Sequence, residues 1–140
     1  MKFTSLAATI FTFALPAFVQ SETLSYDTRY DDASLSLANL ACSNGVNGLM
    51  TKGYTTLGSL PTFPNIGGVY TVTSWNSPAC GTCYEVTYGS KTIAVLAVDV
   101  ALEGFNLSEE AMNTLTGGLA VELGRVNVSA TQVDASVCRL

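Results

Sequence analysis

Ser77-Pro78-Ala79-Cys80-Gly81-Thr82-Cys83-Tyr84 holds two of the four cysteines of this 140-residue chain and lies between two candidate strands. A Cys-x-x-Cys pair has three explanations: half of a zinc site, a redox-active dithiol, or two cysteines leaving a tight turn towards separate disulfide partners. A redox dithiol of the thioredoxin kind sits at a helix start, whereas Cys83-Tyr84-Glu85-Val86-Thr87-Tyr88 reads as strand. The compartment in which the chain works decides between the other two.

That compartment is indicated at the N-terminus. Met1-Lys2 is a basic start and Leu6 to Val19 is nearly all apolar, the layout of a secretory signal peptide, with cleavage expected between Gln20 and Glu22. The competing reading is a buried N-terminal helix; the stretch is too short and too closely followed by polar residues for a membrane anchor. The expected organisation is a leader over 1–21 and one extracellular domain over 22–140. A domain of about 120 residues is large enough for a single core.

An exported chain with four cysteines and no histidine favours disulfides over zinc. An all-thiolate zinc site would also need Cys42 and Cys138, which stand alone rather than as a second pair. Four cysteines allow three connectivities, and spacing does not choose among them. We prefer Cys42 with Cys80 and Cys83 with Cys138, each loop worth about 4 kcal/mol in the chain-entropy model.

The chain has 6 basic and 11 acidic residues, a net charge of −5, and losing the leader removes Lys2 but no acid. So few cations build no basic patch, which argues against nucleic acid and anionic membrane surfaces as partners.

Working outward, Leu24-Ser25-Tyr26-Asp27 alternates apolar and polar and suggests a short edge strand. Residues 31–40 lack a period and read as loop with one helical turn, and Cys42 to Gly48 is dense in turn formers. Leu49 to Tyr54 suggests a short helix. The prolines and glycines between Leu57 and Gly68 argue against a long helix or a central strand there. Val69 to Trp75 is rich in β-branched and aromatic residues and reads as a strand. Tyr84 to Tyr88 reads as another, turned by Gly89-Ser90 into Lys91 to Val100, whose apolar middle predicts burial on both faces. Ser108 caps a helix with Glu109 and Glu110 in its first turn and Gly117-Gly118 at its end. Arg125 to Asp134 is a further strand. The sum is a mainly β chain with short helices, a small closed β-barrel with one helix at its flank.

These pieces resemble the cerato-platanin family of secreted fungal proteins. The resemblance rests on Ser25-Tyr26-Asp27, Ala41-Cys42-Ser43-Asn44-Gly45, Phe63 to Gly68, Ser77 to Tyr84, Val98-Asp99, Gly104-Phe105-Asn106 and Thr131-Gln132-Val133-Asp134. It implies a six-stranded double-ψ β-barrel with two disulfides, like that of expansins and barwin. It further implies a non-hydrolytic wall protein without metal or cofactor, binding chitin or N-acetylglucosamine oligomers, self-associating at interfaces and eliciting plant defence through a surface receptor. The family's carbohydrate groove maps onto Tyr26, Asp27, Ser43, Asn44, Gly45, Asp99, Asn106 and Gln132. One departure stands out: the segment after the aspartate, short, glycine-rich and polar in the family, is Val100-Ala101-Leu102-Glu103 here. A bulkier, more apolar wall is expected to weaken sugar binding and strengthen self-association.

Read from its own residues, Asp99 ends an apolar strand, where a carboxylate either hydrogen-bonds sugar hydroxyls, accepts loop amides, or exchanges a proton. Glycoside hydrolysis needs a second carboxyl facing the first. Asp27, Glu103 and Asp134 are the candidates, and no spacing aims them at Asp99. Without histidine, Ser-His and Cys-His pairs are excluded. Of the aromatics Tyr26, Tyr30, Tyr54, Tyr70, Trp75, Tyr84 and Tyr88, most are expected in the core, Trp75 among them. Asn106-Leu107-Ser108 and Asn127-Val128-Ser129 are N-glycosylation sequons, and a glycan on Asn106 would obstruct the groove.

Overall fold

The computed structural model describes residues 18–140. Most of the leader therefore lies outside the described residues, and the expected boundary at residue 21 falls within the first strand. Six strands close into a double-ψ barrel in the order β1-β5-β2-β4-β3-β6: β1 Val19–Tyr26, β2 Ile66–Val69, β3 Cys83–Tyr88, β4 Lys91–Val100, β5 Phe105–Leu107 and β6 Arg125–Val133. The β1/β5 and β2/β4 pairs are parallel and the other four antiparallel.

The expected hairpin forms β3 and β4, with Tyr88 opposite Lys91. Val95 to Val98 are buried, the double-sided burial that their apolar run predicts. Inside the barrel Phe105 is fully buried and meets Tyr84 and Tyr70 edge to face, at centroid distances of 5.5 and 6.0 Å. Such geometry sets the positive ring edge against a negative face.

The flanking helix α1, Glu109–Thr116, is capped by Ser108, whose Oγ accepts from Ala111 N at 3.0 Å and donates to the Pro64 carbonyl at 2.6 Å. The carboxylate of Asp31 takes the Glu109 and Glu110 amides at 2.8 and 3.0 Å, answering two of the donors a helix start leaves open. Ala111, Met112 and Leu115 are the side it buries. A second helix, α2 at Ala120–Leu123, follows unannounced by any sequence signal.

Both expected disulfides are present, Cys42–Cys80 and Cys83–Cys138. The first ties the early loops to the turn before β3. The second ties the start of β3 to the C-terminal 3-10 turn.

Four local expectations are corrected. Leu24 to Asp27 marks no sheet edge: β1 is hydrogen-bonded on both sides, to β5 and β6, because the barrel is closed. Tyr70 to Trp75 is not a strand; after Val69 the chain turns, with Val72 N donating to Val69 O and Tyr70 N to Gly104 O. Composition there reflects packing demand, Val72 being fully buried, and not an extended backbone. Conversely, Ile66 to Val69 is a central strand despite its glycines. A Cβ at Gly67 would lie 2.3 Å from Asn106 O, and one at Gly68 would lie 2.6 Å from Val100 O. Backbone approaches that close admit only glycine. Finally, the segment expected as a short helix, Leu49 to Tyr54, contains only a 3-10 turn, Met50–Lys52.

Candidate functional site

Asp99 lies near the C-terminal end of β4 and gathers three neighbours. Tyr30 Oη donates to Asp99 Oδ2 at 2.8 Å, Ala41 N donates to Oδ1 at 3.0 Å, and the Arg29 guanidinium stands 3.6 Å from Oδ2. Both oxygens are thus engaged, and the side chain keeps 14% of its surface exposed. Arg29 and Tyr30 are delivered by a 3-10 turn, Thr28–Asp31, which Asp27 caps by accepting from Arg29 N at 2.9 Å. Burial, and then the facing Asp99 carboxylate, push the Tyr30 phenol well above its ordinary range, so it stays protonated and donates.

Ala41 joins this carboxylate to a second group of residues. Its carbonyl accepts from Asn76 N at 3.2 Å, while its amide serves Asp99. Asn76 is in the left-handed region, φ 58°; its Oδ1 accepts from Asn47 N at 2.9 Å and its carbonyl from Asn47 Nδ2 at 3.0 Å. Gly45, φ 88°, leaves room for that asparagine, since a Cβ there would sit 2.6 Å from Asn76 Oδ1. With the Cys42–Cys80 bond, these contacts clamp the Ser43-Asn44-Gly45 loop to the segment carrying Trp75.

Trp75 is 57% exposed, contrary to the expectation of burial. Its Nε1 donates to Asn44 Oδ1 at 2.8 Å, which fixes the ring while leaving its apolar surface in solvent. The sequence carried no sign of this, because the pinning asparagine is far away in the chain. Nor does anything in Thr28-Arg29-Tyr30 announce the ion pair of Arg29 with a strand end.

Ser25, Asn106, Gly68 and Asp99 are successive cross-strand partners on β1, β5, β2 and β4. Ser25 Oγ donates to Asn106 Oδ1 at 3.2 Å. The Val100 carbonyl packs against Gly68, where a Cβ would come within 2.6 Å of it, and Val100-Ala101-Leu102-Glu103 leads away from the Asp99 end of that row. Leu102 at its tip is fully exposed. Tyr26, half-buried, ends β1 beside Leu107. The exception is Gln132: it pairs with Tyr84, whose other partner is Val95, and so lies at another level of the barrel from Asp99.

The other acids are committed elsewhere. Asp134 caps the last 3-10 turn, accepting from Ser136 N at 2.9 Å. Glu103 lines an open groove of about 640 Å³ with Glu22, Thr23, Thr87, Asn127 and Ser129. Neither they nor Asp27 share a hydrogen bond with Asp99. Among the described residues, no group of three or more acidic or cysteine side chains is placed to hold a metal ion.

The family model for cerato-platanin matches residues 22–140, the whole barrel from Glu22 onward. The chain belongs to the cerato-platanin family. The heat-stable 19 kDa antigen of Coccidioides immitis (strain RS) is 48% identical, over 100% of this chain and 99% of the relative. The cerato-platanin of Ceratocystis fimbriata f. sp. platani is 44% identical, over 87% of this chain and 90% of its own length.

Solved cerato-platanins share the architecture. Cerato-platanin 3 from M. perniciosa superposes with a TM-score of 0.83 at 51% identity, covering 86% of this chain and 100% of that one. The solution structure of the fungal elicitor cerato-platanin gives 0.75 at 46% identity, covering 83% and 95%. An apo expansin of Clavibacter michiganensis, at 19% identity and a TM-score of 0.54, covers 84% of this chain and 51% of its own, a likeness of fold alone. Among the described residues, no helix is long and apolar enough to cross a membrane.

Proposed function

We propose that this cerato-platanin is a secreted, wall-associated protein that binds chitin or N-acetylglucosamine oligomers, or a related polysaccharide, without cleaving it, and elicits plant defence through a surface receptor. The observation that carries the reading is the Ala41 peptide. It couples the Asp99 cluster to the clamped loops that hold Trp75 open to solvent. An exposed, immobilised indole flanked by asparagine amides suits a pyranose, which offers an apolar face and a rim of hydroxyls. Ordering cost is low because the platform is already fixed.

Binding without hydrolysis fits the acids as placed. Asp99 holds a loop amide and a buried phenol, and Asp27, Glu103 and Asp134 have separate structural or surface roles. In this reading Asp99 positions the platform and Trp75, Asn44 and Ser43 meet the sugar. The elicitor role rests on the likeness to the relative described as a fungal elicitor. Secretion rests on the apolar N-terminal stretch, with a leader over 1–21 and the mature domain over 22–140. An expansin-like loosening of wall networks is the alternative within the same chemistry, and it too needs binding first.

Self-association at interfaces is a second reading, favoured by fully exposed Leu102 in the segment after Asp99. Purified oxidised domain, equilibrated with insoluble chitin and with cellulose, tests the main reading. Retention on chitin with no new reducing ends is expected. New reducing ends that vanish in Asp99→Asn would make the protein an enzyme, and no retention on either polymer would shift the weight to interfacial assembly.

A further inference from the structure

The two sequons differ in burial: Asn106 is half-buried and hydrogen-bonded, and Asn127 is exposed. Asn106 lies on β5 between fully buried Phe105 and Leu107, and its side chain is engaged by Ser25 Oγ at 3.2 Å. Its backbone carbonyl oxygen is packed against Gly67, where a Cβ would come within 2.3 Å of it. The hydroxyl residue of that sequon, Ser108, is fully buried and holds both Pro64 O and Ala111 N. Asn106 is half-buried, and a sugar on it would have to displace the Ser25 contact and lie over the row that ends at Asp99.

Asn127 is the reverse case. It lies on β6 opposite Thr23 of β1, it is exposed, and the neighbouring Val128 is the residue that turns into the core. Its side chain opens into the groove of about 640 Å³ that Glu22, Thr23, Thr87 and Glu103 also line. Glycan attachment precedes folding, so a modified asparagine persists in secreted protein only where the folded surface leaves the sugar a way out. Asn127 offers that path and asks no core residue to move.

We propose that Asn127 carries an N-linked glycan and that Asn106 does not. The modification joins Asn127 Nδ2 to C1 of the terminal N-acetylglucosamine of a lipid-pyrophosphate-linked oligosaccharide. The C1–O bond to phosphate breaks, and the lipid pyrophosphate and the amide proton leave. The first sugar lies over the groove, where the hydroxyls of Thr23, Thr87 and Ser129 and the two carboxylates face it. The Asn106–Gly68–Asp99 row stays free of sugar. This inference rests on the secretion in the proposed function, and its test separates the two.

The test uses the full chain expressed in a filamentous-fungal host, with leader and both sequons intact. Intact mass of the protein from the medium is compared before and after peptide-N-glycosidase digestion in heavy-oxygen water, followed by peptide mapping. Mass is expected to fall on digestion, with the Asn-to-Asp conversion and heavy-oxygen label at position 127 alone. N127Q and S129A are each expected to be secreted and to have the bare mass, and N106Q to keep the glycan. Protein that reaches the medium unmodified, or labelled at 106, overturns the inference and leaves secretion standing. Chain retained in the cell with both sequons bare overturns secretion and the inference together.

Discussion

Trp75 Nε1 donates to Asn44 Oδ1 at 2.8 Å, and the indole so held remains more than half exposed. A large aromatic group left in water on a rigid loop is an arrangement that binding, more than folding, explains.

Trp75→Ala is accordingly expected to weaken binding of N-acetylglucosamine oligomers by about tenfold or more, roughly 1.4 kcal/mol, with little change in stability. Because the chain has a single tryptophan, its emission reports on this position alone. Oligomer titration should shift the emission of the wild type, and calorimetry on Trp75→Ala and Trp75→Phe should show loss in the first and partial retention in the second.

Tyr30→Phe leaves Asp99 Oδ2 without its buried donor and is expected to cost about 1.5–3 kcal/mol, as for hydrogen bonds to charged groups. Arg29 is nearly half exposed and 3.6 Å away, so Arg29→Ala should cost no more than about 1 kcal/mol. Denaturant midpoints decide the order. A larger loss in Arg29→Ala would mean that the ion pair, and not the phenol, anchors Asp99.

The phenol also predicts an alkaline limit. With its pKa raised in the folded state, Tyr30 contributes stability that is complete below the ordinary phenol value of 10.0. That contribution diminishes as pH climbs from there towards the folded-state pKa, because the unfolded chain loses the proton first. Absorbance titration of the phenols should show one group ionising only with unfolding, and Tyr30→Phe should abolish that component and flatten the decline in melting temperature at high pH.

Gly68→Ala places a Cβ 2.6 Å from the Val100 carbonyl and 3.3 Å from Ala101 Cβ, where backbone has to move. A destabilisation of about 1–3 kcal/mol or more is expected, on the scale of overpacking. Gly89→Ala meets nothing within 4 Å, though its φ of 58° is strained for alanine, and is the milder control. Equal losses in the two melting curves would show that the approach of the Val100 carbonyl does not by itself dictate glycine at 68.

What the sequence disclosed follows the range of the forces involved. Cys83 to Val100, Ser108 to Gly118 and Arg125 to Val133 are decided by neighbours in the chain, through alternation, a tight turn, a cap and a glycine stop, and they fold as read. Ile66 to Val69 and Phe105 to Leu107 are strands because distant backbones close on Gly67 and Gly68, which no local pattern conveys. In the site, the strand-end position of Asp99 was legible. Its partners were not, since Tyr30 and Ala41 reach it from 69 and 58 residues away. Residue type alone places Trp75 in the core, and only the Cys42–Cys80 clamp and Asn44 explain why it faces water.

The most direct test of the central claim is an amide-shift titration of the isotopically labelled, oxidised mature domain with N-acetylglucosamine oligomers. Perturbations are predicted to cluster at Ser43 to Gly45, at Trp75 including its indole N–H, at Asn76 and around Asp99, leaving Gln132 unmoved. A spectrum that does not change, or changes only around Gln132, would contradict the account.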